Sequence, residues 1–121
     1  MKLKVLIIED NEQNMYMLSY LLQKNNYEVV QAFNGLDGLT AARFNKPDVI
    51  LLDIQLPEMS GYEVAEELRR IRILDLVPII AVTSHAMVGD RAKCLQAGCN
   101  DYLSKPITAT GLRDALARYL G

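Results

Sequence analysis

The sequence predicts an α/β protein with a doubly wound, five-stranded parallel sheet flanked by five helices. Two features of the pattern predict this fold class. Short runs of branched apolar residues alternate along the chain with longer segments in which apolar residues recur at helical spacing. Strands that alternate with helices in this way form a parallel sheet covered on both faces. The order expected for such strands is 2-1-3-4-5, with a ligand crevice between strands one and three.

Two uninterrupted apolar runs predict the central strands. Residues 48–53 end on the carboxylate of Asp53, and residues 4–8 end before Glu9. Unbroken runs of this length indicate strands buried on both faces of a sheet. Residues 27–33 mix polar and apolar side chains, as expected for a strand nearer an edge. The remaining strands are predicted at residues 77–83 and 101–104.

Capping residues mark the ends of the predicted helices. Polar side chains that can accept hydrogen bonds from a first helical turn precede most of these segments. The fourth helix is expected to begin at about Val88 and to end before Gly98, which suits a left-handed C-terminal residue. In that helix, Ala92 and Leu95 are expected to face the core. The predicted N-caps are Asn11, Asn34, Ser60 and Thr108.

Composition limits the class of protein. The chain of 121 residues suits one domain over residues 1–121, without an output domain. It contains no apolar run near the roughly 18 residues of a membrane span and no signal peptide, so we expect a cytoplasmic protein without a membrane partner. The net charge is −2 and no basic block stands out, which argues against nucleic acid. Cys94 and Cys99 lack the spacing of a redox or zinc motif and are expected to be buried thiols.

Charged and polar side chains follow the predicted strands. Because parallel strands present their carboxyl ends to one edge, the order 2-1-3-4-5 brings Glu9, Asp10 and Asp53 together. Thr83 and Lys105 arrive at the same edge from strands four and five. Two carboxylates about 4 Å apart repel by roughly 4 kcal/mol at an effective dielectric near 20, so a Lys and a divalent cation such as Mg²⁺ are expected there. Acidic side chains, a lysine, a hydroxyl group and a divalent cation together suit phosphoryl transfer, with a carboxylate as acceptor.

Taken singly, each of these residues has an ordinary structural explanation. Glu9 and Asp10 could be acids beside a helix N-terminus, Thr83 a residue with high β propensity, and Lys105 a solvated lysine. Their joint position at one edge of the sheet favours a functional site.

The set of residues as a whole resembles a response-regulator receiver domain, the phosphoacceptor half of two-component signalling. The resemblance covers essentially the whole chain. Residues 9–14 and 85–90 further resemble receivers attached to hybrid histidine kinases and some that stand alone. The motifs that carry the resemblance are Glu9-Asp10, Asp53 after an apolar strand, Pro57 and Gly61, Thr83-Ser84, and Lys105-Pro106.

The resemblance implies a metal-assisted phosphoacceptor. Asp53 would take a phosphoryl group from a phosphohistidine on a histidine kinase or phosphotransfer protein. Asp10 and Asp53 would bind Mg²⁺ together with the backbone carbonyl of Gln55. Glu9 would act on the ion mostly through water.

It also implies a switch. Lys105 would pair with Asp53 and then with the phosphoryl oxygens, while Thr83 donates its hydroxyl group to the phosphoryl group. Tyr102 would swing inward as Thr83 moves, although it could also be a packed aromatic at a sheet edge. The peptide bond before Pro106 is expected to be cis.

Two further positions are implied to tune the lifetime of the phosphoryl group, namely Gln55 and His85. His85 could equally be a surface residue in a strand-to-helix turn.

A downstream protein would read the signal on the face formed by the fourth helix, fifth strand and fifth helix. The expected function is therefore a phosphoacceptor switch in a single-domain response regulator. It is not expected to be an enzyme beyond its own phosphorylation from a phosphodonor and slow autodephosphorylation. The alternative is a receiver excised from a hybrid histidine kinase that acts in a phosphorelay.

Three other classes of protein are less consistent with the sequence. A flavodoxin-like cofactor binder shares the predicted fold, but the acidic loop that begins at Glu9 and Asp10 would repel a phosphate group. An aspartyl-phosphate hydrolase usually carries a second Asp where Gln55 stands. A degenerate receiver that serves only for docking would not be expected to retain the acidic residues together with Lys105.

Overall fold

One parallel sheet forms the centre of the molecule. The structure, a computed structural model, describes residues 2–84 and 89–121. Its strands are β1 (Lys4–Ile8), β2 (Glu28–Ala32), β3 (Val49–Asp53), β4 (Ile79–Thr83) and β5 (Asp101–Ser104). They are hydrogen-bonded in the order β2-β1-β3-β4-β5, and every pair is parallel. The predicted flavodoxin-like fold class and strand order are confirmed.

Helices follow each strand. A short 3₁₀ turn, Arg72–Leu74, lies between the third helix and β4. The N-cap side chains predicted from the sequence all accept a backbone hydrogen bond from the first turn of their helix. None of the helices in the described part of the chain is long and apolar enough to cross a membrane. The helices are α1 (Glu12–Lys24), α2 (Gly35–Asn45), α3 (Gly61–Arg69), α4 (Asp90–Ala97) and α5 (Ala109–Leu120).

Alternate side chains of the central strands enter two separate cores. Leu6 and Leu52 point to the side covered by α2, α3 and α4, where Leu68 and Cys94 are buried with them. Val5 and its neighbours on the other face pack against α1 and α5. Because both faces are covered, β1 and β3 need apolar residues at nearly every position, which explains their unbroken hydrophobic runs.

Helix α4 differs from the prediction in its buried face. Ala92 is exposed and Leu95 is 46% exposed, so the expectation that these two residues face the core is wrong. The buried residues are Cys94 and Ala97, which lie three positions apart on one helix face. The side chains on this buried face are small. The hydrophobicity of Leu95 therefore predicts a different face of the helix as the buried one. The predicted start at Val88 lies outside the described residues.

The C-terminal end of α4 has a defined anchor. Gly98 has φ +113°, the left-handed conformation predicted for this position. Arg69 donates hydrogen bonds from its guanidinium to the carbonyl of Gly98 at 2.9 Å and to Oδ1 of Asn100 at 2.7 Å. These contacts fix the end of α4 against α3 and the start of β5.

Candidate functional site

The carboxyl ends of β1 and β3 bring two acidic residues side by side. Ile8 pairs with Leu52 in the sheet, so Glu9 and Asp53, the next residues, meet at the same edge. Asp10 follows in the loop to α1. One oxygen from each of these three carboxylates lies within 4.8 Å of the other two. The predicted convergence of acidic residues is therefore present.

The Asp53 carboxylate is almost fully buried, at 3% exposed. Its Oδ1 accepts a hydrogen bond from the backbone N–H of Gln55 at 2.9 Å. Its Oδ2 lies 3.4 Å from Nζ of Lys105. A buried carboxylate needs such partners, because an isolated charge in a dry environment is strongly destabilising.

Lys105 reaches the site from the loop after β5. Its backbone N–H donates to the carbonyl of Thr83 at 2.8 Å, and its peptide bond to Pro106 is cis, as the resemblance implied. The ammonium group lies 3.3 Å from Oε1 of Glu9 and a similar distance from Asp53. The ammonium group of Lys105 therefore forms ion pairs with two buried carboxylates, and the exposed Asp10 adds a third acidic group.

Glu9 has the most unusual environment of the three acids. It is 1% exposed, and its Oε2 accepts a hydrogen bond from the backbone N–H of Asn11 at 3.1 Å. Its Oε1 has no hydrogen-bond partner among the described residues, although the ammonium of Lys105 is near. Burial raises the pKa of Glu9 from 4.5 to about 7, and a hydrogen bond to Asp53 adds to the increase. A buried carboxylate oxygen whose nearby ammonium group is shared with Asp53, in a cluster of oxygen ligands, fits the requirements of Mg²⁺.

Thr83 and Gln55 lie beside the acidic cluster. Asp53 pairs with Val82, so Thr83 lies one residue further along β4 at the same edge, where it is buried. The Gln55 side chain reaches across to the loop after β4, and its Oε1 accepts a hydrogen bond from Oγ of Ser84 at 2.6 Å. Sequence patterns do not predict this contact, because both residues lie in loops whose side-chain positions depend on the folded structure.

Tyr102 lies apart from the carboxylates. It pairs with Ala81 in the sheet and is half-buried next to α4. The guanidinium of Arg91 is 5.9 Å from the centroid of its ring, which is within the range of a cation–π contact. His85, which the resemblance singled out, lies outside the described residues.

A cavity of about 390 Å³ opens next to the acidic cluster. Glu9, Lys105 and Ser84 line its polar side. Its other wall is mainly apolar and comes from α1 and from the loop after β5. The apolar lining residues are Met17, Leu18, Pro106 and Ile107.

The fold and this edge of the sheet define the class of protein. The family model described as "Response regulator receiver domain" matches residues 5–117, and the chain belongs to that family. It is a phosphoacceptor switch of two-component signalling, and it is a signalling protein rather than a conventional enzyme.

Three known proteins illustrate the relationship. The chain is 45% identical to the polar-differentiation response regulator DivK of Brucella anthropi, over 97% of this chain and 95% of DivK. It is 37% identical to the receiver domain of a sensor histidine kinase from Pseudomonas aeruginosa, which was crystallised with a magnesium ion in its active site cleft. The TM-score is 0.91, and the match covers 98% of both chains.

The third is the receiver domain of a Saccharomyces cerevisiae response regulator, crystallised with a histidine phosphotransfer signalling protein. This receiver domain is 31% identical to the chain, with a TM-score of 0.90, and the match covers 98% of this chain and 88% of the other.

Proposed function

We propose that Asp53 is the residue that accepts the phosphoryl group. The donor is a phosphohistidine on a histidine kinase or a phosphotransfer protein. The bond between phosphorus and the histidine nitrogen breaks as a bond forms between phosphorus and a carboxylate oxygen of Asp53. The observation that carries this proposal is the buried Asp53 carboxylate, held by Lys105 at 3.4 Å and flanked by two further acids.

We assign Mg²⁺ to the acidic cluster. Asp10, Asp53 and the backbone carbonyl of Gln55 would hold the ion, and Glu9 would contact it through water. The buried Oε1 of Glu9 and the magnesium ion in the related kinase receiver support this assignment. When bound, Mg²⁺ supplies positive charge that offsets the carboxylates and the phosphoryl oxygens.

Lys105 and Thr83 stabilise the product in this proposal. The ammonium group of Lys105 moves its contact from the Asp53 carboxylate to a phosphoryl oxygen. The hydroxyl group of Thr83 donates a hydrogen bond to another. Both residues come from neighbouring strand ends, so the sheet holds them at the place where negative charge accumulates.

The cavity beside the site suits a protein that carries the phosphohistidine. Its polar side contains Lys105, and Met17 and Ile107 form part of its apolar wall. An apolar helix surface on the partner could cover this wall while its histidine reaches Asp53. The complex of the yeast receiver with a phosphotransfer protein supports this class of partner.

We further propose that the output surface is the face formed by α4, β5 and α5. Movement of Thr83 towards a phosphoryl group would let Tyr102 turn inward and give up its contact with Arg91. A downstream protein that binds this face differently in the two states would read the change. In the same scheme, Gln55 and His85 affect how long the phosphoryl group persists.

The proposed organisation is a single-domain response regulator over residues 1–121. The match to DivK supports it over a receiver excised from a hybrid kinase, because it covers 97% of this chain and 95% of DivK at 45% identity. The cytoplasmic location stays a prediction.

Beryllofluoride, an unreactive mimic of the phosphoryl group, provides the test. With Mg²⁺ it should shift the backbone NMR signals of Thr83 and Tyr102 in the wild-type chain. Asp53→Asn, or the wild type in EDTA, should show no such shifts. Equal shifts in Asp53→Asn would exclude Asp53 as the acceptor.

A further inference from the structure

A hydrogen bond crosses the phosphoacceptor site between two loops. Gln55 lies two residues after Asp53, and Ser84 directly follows Thr83. The Oγ–Oε1 distance between Ser84 and Gln55 is 2.6 Å, within the range of a hydroxyl hydrogen bond. Both residues are exposed, and Ser84 lines the cavity that contains Lys105. The bond therefore joins Gln55, two residues after β3, to Ser84, the residue directly after β4, at the edge of this cavity.

The orientation of the Gln55 amide follows from the same contact. The backbone N–H of Ser84 faces the same Gln55 atom at 3.4 Å. A backbone N–H can only donate, so the atom that faces it has to be the carbonyl oxygen and not the amide nitrogen. The Gln55 oxygen thus accepts from the hydroxyl of Ser84 and lies opposite its backbone N–H.

The two donors of Ser84 would have a second use once Asp53 is phosphorylated. A phosphoryl group brings anionic oxygens to the place where Thr83 and Ser84 leave β4. Hydrogen bonds to a charged acceptor are about twice as strong as those to a neutral one. A neutral amide oxygen that holds these donors in the unphosphorylated state would give them up to the phosphoryl group.

We propose that the Gln55 side chain is a placeholder for a phosphoryl oxygen. It occupies the hydroxyl and backbone N–H of Ser84 in the resting state, and the phosphoryl group displaces it. The Gln55–Ser84 hydrogen bond thereby holds Ser84 in its resting position and weakens anion binding at Asp53. This inference rests on the proposed function of Asp53, and what it adds is the competition of the Gln55 side chain for the donors of Ser84.

A double-mutant cycle with beryllofluoride and Mg²⁺ tests the competition. The affinity for beryllofluoride is measured by ¹⁹F NMR for the wild type, Gln55→Ala, Ser84→Ala and the double variant. Gln55→Ala should bind about threefold to tenfold more tightly than the wild type, since a competing hydrogen bond of ordinary strength is lost. Ser84→Ala removes the hydroxyl and leaves only the longer contact of the backbone N–H at 3.4 Å. In that background, Gln55→Ala should change the affinity less than about twofold.

A second readout follows the Ser84 amide directly. Its proton chemical shift should differ between the free wild type and free Gln55→Ala, and should become similar once beryllofluoride is bound. Gln23→Ala, the same substitution at an exposed position on α1, is the control and should leave affinity and shift unchanged. Thermal unfolding confirms that each variant is folded.

The outcomes separate this inference from the proposed function. Equal tightening by Gln55→Ala in both backgrounds, or weaker binding in Gln55→Ala, would overturn the placeholder role while the role of Asp53 stands. Failure of the wild type to bind beryllofluoride in the presence of Mg²⁺ would overturn both.

Discussion

Glu9 illustrates how much of the site depends on single residues. Its carboxyl group is buried beside Asp53 and has one oxygen that lacks a hydrogen-bond donor among the described residues. A structural acid at a strand end would be expected to have both oxygens satisfied. The Lys105 ammonium, 3.3 Å from this oxygen, is shared with Asp53, so it cannot fully offset both buried carboxylates together with the nearby Asp10. This excess of negative charge indicates that the site is built for a ligand and not for stability alone.

The raised pKa of Glu9 predicts a pH-dependent stability in the absence of Mg²⁺. The pKa is about 7 in the folded protein, against 4.5 for the ordinary group. The folded state therefore binds a proton more strongly than the unfolded chain, and stability should fall as the pH rises through this window. At about 1.4 kcal/mol per unit of pKa, the decrease is roughly 3 kcal/mol and is complete above the folded pKa.

Urea unfolding in EDTA at a series of pH values measures this effect. Glu9→Gln should remove most of the decrease and be more stable than the wild type at pH values above about 8. Glu66→Gln, which changes an exposed acid on α3, should keep the wild-type profile. Identical pH profiles for the wild type and Glu9→Gln would show that Glu9 does not titrate in this way.

At the level of secondary structure, the acidic cluster lies on the ends of the strands, whereas the neighbouring cavity is lined largely by α1 and the loop after β5. β1, β3 and β4 fix the backbone of Glu9, Asp53 and Thr83 through sheet hydrogen bonds. The cavity is formed instead by α1 and the loop after β5, where Met17 is 37% exposed. In the proposed scheme, this separation would allow partner recognition to change without moving Asp53.

Met17→Asp should therefore slow phosphoryl transfer from a protein donor but not from a small-molecule donor. The added charge is unfavourable in an apolar contact, so the rate of phosphoryl transfer from a phosphorylated histidine phosphotransfer protein should fall by at least about tenfold. The rate with acetyl phosphate, which needs no protein surface, should change less than about twofold.

Leu36→Asp provides the matched control, because Leu36 is a 67% exposed residue on α2, away from this cavity. It should leave both rates near those of the wild type. A loss of transfer from both donors in Met17→Asp would point to damage at Asp53 instead of a docking defect. Rates are followed by the transfer of labelled phosphate.

At the scale of the whole molecule, the sequence predicts the parts that depend on periodicity and on strand direction. The fold follows from the alternation of strands and helices, and the meeting of Glu9 with Asp53 follows from parallel strands in the order β2-β1-β3. The bounds of β1 and β5 agree with the prediction as well. These features are determined by backbone geometry, which the pattern of residues reflects directly.

The remaining features depend on packing that no pattern contains. β4 begins at Ile79, two residues later than predicted, because the N–H of Val77 donates to Leu74 at the end of the 3₁₀ turn. Hydrophobicity predicts the wrong inward face for α4, because the buried residues Cys94 and Ala97 are small whereas the larger Leu95 is exposed. The contact between Gln55 and Ser84 depends on loop geometry and side-chain rotamers, and only the folded structure reveals it.

The most direct measurement identifies the phosphorylated residue. The protein is treated with acetyl phosphate and Mg²⁺, the acyl phosphate is reduced with borohydride to an alcohol, and the peptides are mapped by mass spectrometry. We predict that Asp53 alone is converted, to homoserine, and that EDTA prevents the conversion. Conversion of Glu9 or Asp10, or undiminished labelling of the Asp53→Asn variant, would contradict it.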